Sequence, residues 1–244
     1  MGSRIDLTAY PMPAGARKLM PYQDMPFNGD GYAAAEVLRL KAKHGLTVAV
    51  ETGTCYGSTT LFLWEHFRHV NTTEIDRPTF DIAVKRMCDH VGRFIKDDIG
   101  TRDVWIGGHG HEGQPNSIKA NLGSSPDVIA RTAPAWLSAK EGQDRHFFFL
   151  DAHWGNVCPL LDELDAIAQA GIRPVIMIHD WQVPERPDLG HDNFPDGRPF
   201  ALEHITTALD LIYGREGWDY HYNDEAEGAR RGILYVEPKA STPA

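Results

Sequence analysis

Two apolar runs in this sequence stop at an acid. HFFFL, His146 to Leu150, meets Asp151, and PVIMI, Pro174 to Ile178, meets His179 and Asp180. Runs of this length and character are buried strands. In a doubly wound sheet the carboxyl ends of neighbouring strands line one crevice. Strands lie about 4.8 Å apart, so the two carboxylates can converge on one point. Carboxylates that close repel unless a cation or proton sits between them. An oxygen-rich site of this kind suits magnesium, manganese or calcium, and His179 as a third ligand would draw the preference toward manganese or zinc. The competing reading is that each aspartate caps a helix, an opening that DAHW offers to Asp151.

A second set of chemistry-bearing residues lies in VAVETGTCYGSTT, Val48 to Thr60. A short apolar run passes through Glu51, then Gly53 and Gly57, and continues into LFLWEHF, which reads as strand, tight turn and helix. Such a turn presents unpaired backbone N–H groups and the positive end of a helix dipole to a ligand. A phosphate loop would need a lysine that is absent. A dinucleotide turn would need glycines where Cys55 and Ser58 stand. The next strand, HVNTTEID, ends at Glu74 and Asp76. In a βαβ unit that acid reaches the crevice beside the glycine turn and can accept hydrogen bonds from ribose hydroxyls, with Glu74 the better placed.

The elements that must hold these residues follow a βα alternation. Residues 1–29 carry four prolines without periodicity and read as an arm. A single domain spans 30–244. Asp30 is set to cap a first helix with Ala33, Val37 and Leu40 on one face, and Gly45 is set to end it. The third strand is expected at SIKANLG, before the small turn Gly123-Ser124-Ser125, leaving 96–116 as an insertion. His109 and His111 in GGHGHEG read as a solvated loop. CPLLDELDAIAQAG is a helix with Leu161, Leu164 and Ala168 inward. Gln182 to Phe200, with four prolines, is long enough to be a lid. ALEHITTALDLIYG is a last helix with Leu202, Ile205, Leu209 and Ile212 inward. WDYHYND and RRGILYVEP close the chain as a hairpin inserted antiparallel at one sheet edge.

Bulk properties narrow the function. The chain has 244 residues, 42% apolar and 24% charged, which suits one α/β domain. A net charge of −10 argues against a nucleic-acid partner. The longest apolar runs are too short to span a bilayer. The start MGSRIDLTAY lacks the apolar segment of a signal peptide. Cys55, Cys88 and Cys158 are widely spaced, as reduced thiols in a cytoplasmic protein would be.

The pattern E-x-G-x-x-x-G resembles the first motif of the class I S-adenosylmethionine (SAM) dependent methyltransferases. Together with TTEID, LDAHW followed by CPLLDEL, and IHDWQVP, it resembles metal-dependent O-methyltransferases, in particular the macrocin type of sugar O-methyltransferase and cephalosporin-hydroxylase-like proteins. The likeness covers roughly residues 30–182. It implies a doubly wound, seven-stranded, mostly parallel Rossmann-like sheet. SAM contacts would fall on Glu51, Thr52, Gly53, Tyr56, Gly57, Ser58, Thr59, Glu74, Ser124 and Ser125. Asp151 and Asp180 would be ligands of a magnesium or manganese ion, with His179 a further ligand. His153 would stand where the family places its general base, beside Asp151. The implied reaction is methyl transfer to a hydroxyl of a small sugar or natural-product metabolite, with homo-oligomerisation left open. The rival is a catalytically silent SAM- or nucleoside-binding module of a biosynthetic complex.

Overall fold

The computed structural model describes residues 22–91, 94–96, 103–109, 115–138, 145–153 and 157–239. The strands, in chain order, are β1 (Val48–Thr52), β2 (His69–Glu74), β3 (Phe94–Lys96), β4 (Asp103–His109), β5 (Pro115–Leu122), β6 (His146–Leu150), β7 (Val175–His179), β8 (Trp218–Tyr222) and β9 (Ile233–Pro238). They form one sheet in the order β3-β4-β5-β2-β1-β6-β7-β9-β8. Pairing is parallel from β5 through β7. It is antiparallel where β9 joins β7 and where β8 joins β9. The stretch β5-β2-β1-β6-β7-β9-β8 is the expected seven-stranded, mostly parallel sheet with its closing hairpin.

Two further strands correct the expectation for 96–116. β4 pairs antiparallel with β5, and β3 with β4, so part of the insertion extends the sheet. The alternation of buried Val104 and Ile106 with exposed Trp105 is the strand signal. Gly107 and Gly108 obscure it. A Cβ at Gly108 would meet Val91 Cγ1 at 2.6 Å and Trp64 at 3.2 Å, so glycine lets the strand pass close over its neighbours. His109 ends that strand, and His111 lies outside the described residues.

The helices α1 (Gly31–His44), α2 (Ser58–His66), α3 (Arg77–Val91), α4 (Ser125–Ser138), α5 (Leu160–Gln169) and α6 (Thr206–Tyr213) cover the two faces. Side chains of β6 alternate between two cores, Phe147 and Phe149 into one, Phe148 and Leu150 into the other. This is why the strand reads as an unbroken apolar run. Asp30 caps α1 by accepting from Tyr32 N at 2.9 Å and Ala33 N at 3.1 Å, and Gly45 at φ 61 ends it. In α5 the inward seam is Leu160, Glu163, Leu164 and Ile167, while Leu161 is exposed. The seam is therefore shifted by one residue from the expected one, and it carries an acid. Of the arm, residues 1–21 lie outside the described residues. Its end, Pro26–Gly29, is a short 3-10 turn whose Phe27 packs between Phe62 and Phe149, each ring 5.2 Å away.

Candidate active site

The glycine turn is built by the chain's own constraints. Gly53 and Gly57 have φ of 80 and 77, which side chains rarely adopt. A Cβ on Gly53 would also collide with the Asp151 carbonyl oxygen. The turn thus lies directly against the end of β6. Gly53 N and Thr54 N each donate to Thr73 O at 3.0 Å, and Gly57 N donates to Thr54 O at 2.8 Å. Arg86 on α3, 1% exposed, donates to the Tyr56 carbonyl and reaches Ser58 Oγ at 3.4 Å. This buried guanidinium supports the turn, yet its sequence position on a helix face gave no sign of it.

The expected cofactor residues divide into two groups. Glu74, 5% exposed, holds the rim: its carboxylate accepts from Cys55 N at 2.9 Å, Ile75 N at 3.0 Å and Asp76 N at 2.9 Å. Gly53 and Gly57 shape the turn, and Ser124 is partly exposed after β5. The other six have side chains bonded to protein or buried within it. Glu51 accepts from Thr60 Oγ1 and, at 2.6 Å, from Thr72 Oγ1. Thr52 accepts from Asp151 N at 3.2 Å, and Tyr56 is buried. Ser58 Oγ donates to Gln23 O at 3.0 Å, and Thr59 Oγ1 accepts from Phe27 N at 2.9 Å, so both hydroxyls hold the arm. Ser125 Oγ donates to Glu163.

Burial pushes the Glu51 carboxyl up to about 8, with the charges of Asp151 and Glu74 acting in the same direction against its hydrogen bonds. An acid raised in the folded state takes up a proton on folding. The stability it contributes is therefore present below its ordinary value and lost as pH rises from about 4.5 through about 8. We predict that wild type loses about 1.4 kcal/mol per pH unit across that window relative to Glu51→Gln. Chemical denaturation of both proteins from acidic to alkaline pH checks it. Parallel curves would mean that Glu51 is ionised in the folded protein.

The register makes the second half of the site. Thr52 pairs with Leu150 and Leu150 with Ile178, so Asp151 and the pair His179-Asp180 leave the sheet at nearly the same level. His153 Nε2 lies 2.8 Å from Asp180 Oδ2, 3.6 Å from Asp192 and 3.8 Å from Asp151. His179 Nδ1 lies 3.3 Å from Asp180 and 3.5 Å from Asp151. His179 is 1% exposed, and this nitrogen makes no well-formed hydrogen bond. Asp180 sits at φ 59, left-handed backbone that aspartate tolerates better than most residues. Burial opposes charge on both histidines, but the surrounding carboxylates outweigh it and raise both, His179 well above the ordinary range. Burial likewise raises Asp180, and His179 and His153 outweigh it, holding that carboxyl well below its usual range.

The expected cation ligands lie together. Asp151, His179 and Asp180 each offer one atom, all within 4.8 Å of one another, and the unbonded His179 nitrogen belongs to that group. Three further residues converge here. Asp192 comes from the 182–200 loop, whose backbone is tied by Asp192 N to Asp180 O at 2.9 Å and Gln182 N to Phe200 O at 3.0 Å. Arg231, just before β9, bonds Asp180 and Asp192. Glu163 lies beneath, and burial pushes its carboxyl up to about 7. Phe200 is fully buried, with its ring 5.0 Å from His153 and 4.8 Å from Phe194.

The sequence matches no family model and no curated protein. The fold does match solved structures. An O-methyltransferase from Bacillus cereus in complex with S-adenosylhomocysteine (SAH) has a TM-score of 0.54 at 14% identity, covering 95% of this chain and 86% of that one. The O-methyltransferase TomG from Streptomyces achromogenes, involved in tomaymycin synthesis and in complex with SAM, has a TM-score of 0.51 at 12% identity, covering 86% of this chain and 80% of that one. At these identities the likeness shows architecture: the chain has the class I methyltransferase fold. Among the described residues, no helix is long and apolar enough to cross a membrane.

Proposed function

We propose that this chain is a SAM-dependent O-methyltransferase acting on a hydroxyl of a small metabolite of sugar or natural-product type, assisted by a divalent cation, in the cytoplasm. The carrying observation is the joint of the two half-sites. The turn beside Glu74 touches the end of β6 through Gly53 and Asp151, where His153 and Asp180 begin the second cluster. The fold shared with SAM- and SAH-bound O-methyltransferases supports that reading.

SAM brings a methyl group already activated by its sulfonium. The chain's residues then have to position and deprotonate. Glu74, fixed at the rim by three backbone amides, would be the acceptor for ribose hydroxyls. His153 takes the acceptor's proton, and the resulting imidazolium is stabilised through Nε2 by Asp180 at 2.8 Å. Phe194, Phe200 and Trp181, all buried, keep water from that side. Asp151, Asp180 and His179 would hold magnesium or manganese, whose charge would lower the acceptor's pKa.

Isothermal titration tests the cofactor. SAM and SAH are expected to bind with comparable affinity and NADH not at all. Glu74→Ala weakens SAM binding by about 1–3 kcal/mol through lost charge-assisted bonds. Heat from NADH with none from SAM would end this reading. The silent-module alternative is separated by product: methyl transfer from labelled SAM to a panel of hydroxylated metabolites, which a binding module never yields.

A further inference from the structure

The acidic cluster already contains a cation. Arg231 Nε bonds Asp180 Oδ1 and its Nη2 bonds Asp192 Oδ1, so one guanidinium bridges the end of β7 and the 182–200 loop. The other oxygen of Asp180 is bonded by His153. Both oxygens of the carboxylate shared by the two potential cation groups, Asp151-His179-Asp180 and His153-Asp180-Asp192, are therefore occupied by the protein.

The surroundings are shaped for this bridge. Residue 190 is glycine, and a Cβ there would stand 2.7 Å from Arg231 Nη1 and 3.2 Å from its Cδ. Any side chain at 190 would compete with the guanidinium for its space. The adjoining backbone is pinned independently of the side chain, with Gly190 N donating to Arg230 O and Gly232 N to Gly190 O, each at 2.9 Å. Arginine's planar fork suits two carboxylates at once, as lysine's point charge does not. Meanwhile His179 Nδ1, buried and without a well-formed hydrogen bond, faces Asp151 and Asp180. The centre thus combines an unfilled donor with an acid whose charge is already partnered.

We propose that Arg231 is the resident counter-cation of this centre, competing with a divalent ion for Asp180, so that ion binding and loosening of the 182–200 loop at Asp192 are one event. The inference rests on the cation-assisted reading above and deepens it. A divalent ion against Asp180 and a fixed guanidinium on the same carboxylate repel each other, and the arginine is the partner with somewhere to go: its side chain is 27% exposed. Arg231 is a positioning residue in this scheme, acting on the ion and the loop rather than on the acceptor.

The test is manganese binding to the full chain without SAM, read by electron paramagnetic resonance and titration calorimetry, for wild type, Arg231→Met, Arg231→Lys and Asp180→Asn. Circular dichroism confirms that each is folded. Arg231→Met is expected to bind manganese about tenfold or more tightly than wild type, since the ion no longer displaces a bonded charge. Adding Asp180→Asn to Arg231→Met should remove the gain. Arg231→Lys, the gentler change, keeps the charge but loses the fork. It should bind manganese more tightly than wild type, with faster amide hydrogen exchange at 191–194. Should Arg231→Met fail to fold, Arg231→Lys carries the test. Equal manganese affinity in wild type and the arginine variants, with loss in Asp180→Asn, overturns the competition and leaves the cation-assisted reading standing. Manganese binding by none of them removes that reading and the competition with it.

Discussion

Replacing His153 with alanine is expected to lower methyl transfer about 100- to 10,000-fold at neutral pH while SAM still binds. His153 is the group at the centre of the carboxylates, with Nε2 2.8 Å from Asp180 and within 4 Å of Asp151 and Asp192. A proton arriving on that imidazole is stabilised by all three acids. In alanine's place it has no such acceptor. Wild-type activity should rise with pH as the imidazole, raised by its carboxylates, loses its proton, so the deficit narrows only above that range, where the acceptor hydroxyl sheds its proton unaided. His153→Gln is the informative companion, since it can still bond Asp180 and pack under Phe200 but is no base. If glutamine restores activity, the imidazole acts by holding Asp180 and the loop in place. If both variants fall together, proton transfer is the role. Rates from labelled SAM across a pH series, with SAM affinity measured separately, decide it. Full activity of His153→Ala at neutral pH would remove the assignment and return Asp151 to consideration as the base.

What the sequence displayed clearly was whatever depends on periodicity and strand ends. β6 and β7 are buried on both faces, so their apolar runs are unbroken and the polar residues that follow, Asp151 and His179-Asp180, mark where each strand ends, whereas β1 carries Glu51 and Thr52 inside the strand. Asp151, His179 and Asp180 were visible for that reason, and so was Glu74 at the end of β2. SIKANLG, expected as the third parallel strand, matches β5, which pairs parallel with β2 over six residues. Hidden from the sequence were residues whose role depends on a distant partner. Arg86 and Arg231 look like ordinary surface cations until α3 and the β9 approach bring them to Tyr56 and Asp180. In α5 the apolar pattern points inward through Leu161, whereas the buried seam carries Glu163, because an acid on a buried seam contradicts the pattern. It is tolerated there with Ser125 donating to it from a different helix and with burial pushing its carboxyl up to about 7. Ser58 and Thr59 were assigned to the cofactor by their place in the motif. The arm segment at Gln23 and Phe27, with no periodicity of its own, takes their hydroxyls. β4 escaped because Gly107 and Gly108 dilute the alternation that marks a strand, and β3 because its three residues are too few to show one.

Asp180→Asn is the second large effect, and it separates the cation from the cofactor. Asparagine keeps the shape and tolerates the left-handed backbone at φ 59, so the change is one of charge. Removing that charge leaves Arg231 and His153 facing a neutral amide, which should cost about 1–3 kcal/mol of stability in this partly exposed setting. The functional expectation is sharper. Asp180 belongs to both groups of potential cation ligands, so neither is left with its full donor set. Activity should lose its response to added magnesium or manganese, while SAM affinity stays near the wild-type value because Glu74 and the glycine turn are untouched. Asp151→Asn should repeat the loss of response without disturbing Arg231, to which Asp180 and Asp192 are bonded. A pair of variants with the same catalytic defect and different stabilities would therefore assign the defect to the cation. The measurement is methyl transfer with and without chelator, followed by metal titration, on wild type and both variants at matched folded fraction. If chelator leaves the wild type fully active and added manganese changes nothing, the acids at the ends of β6 and β7 position His153 and Arg231 and hold no ion. The proton would then pass from the acceptor to the imidazole without cation assistance.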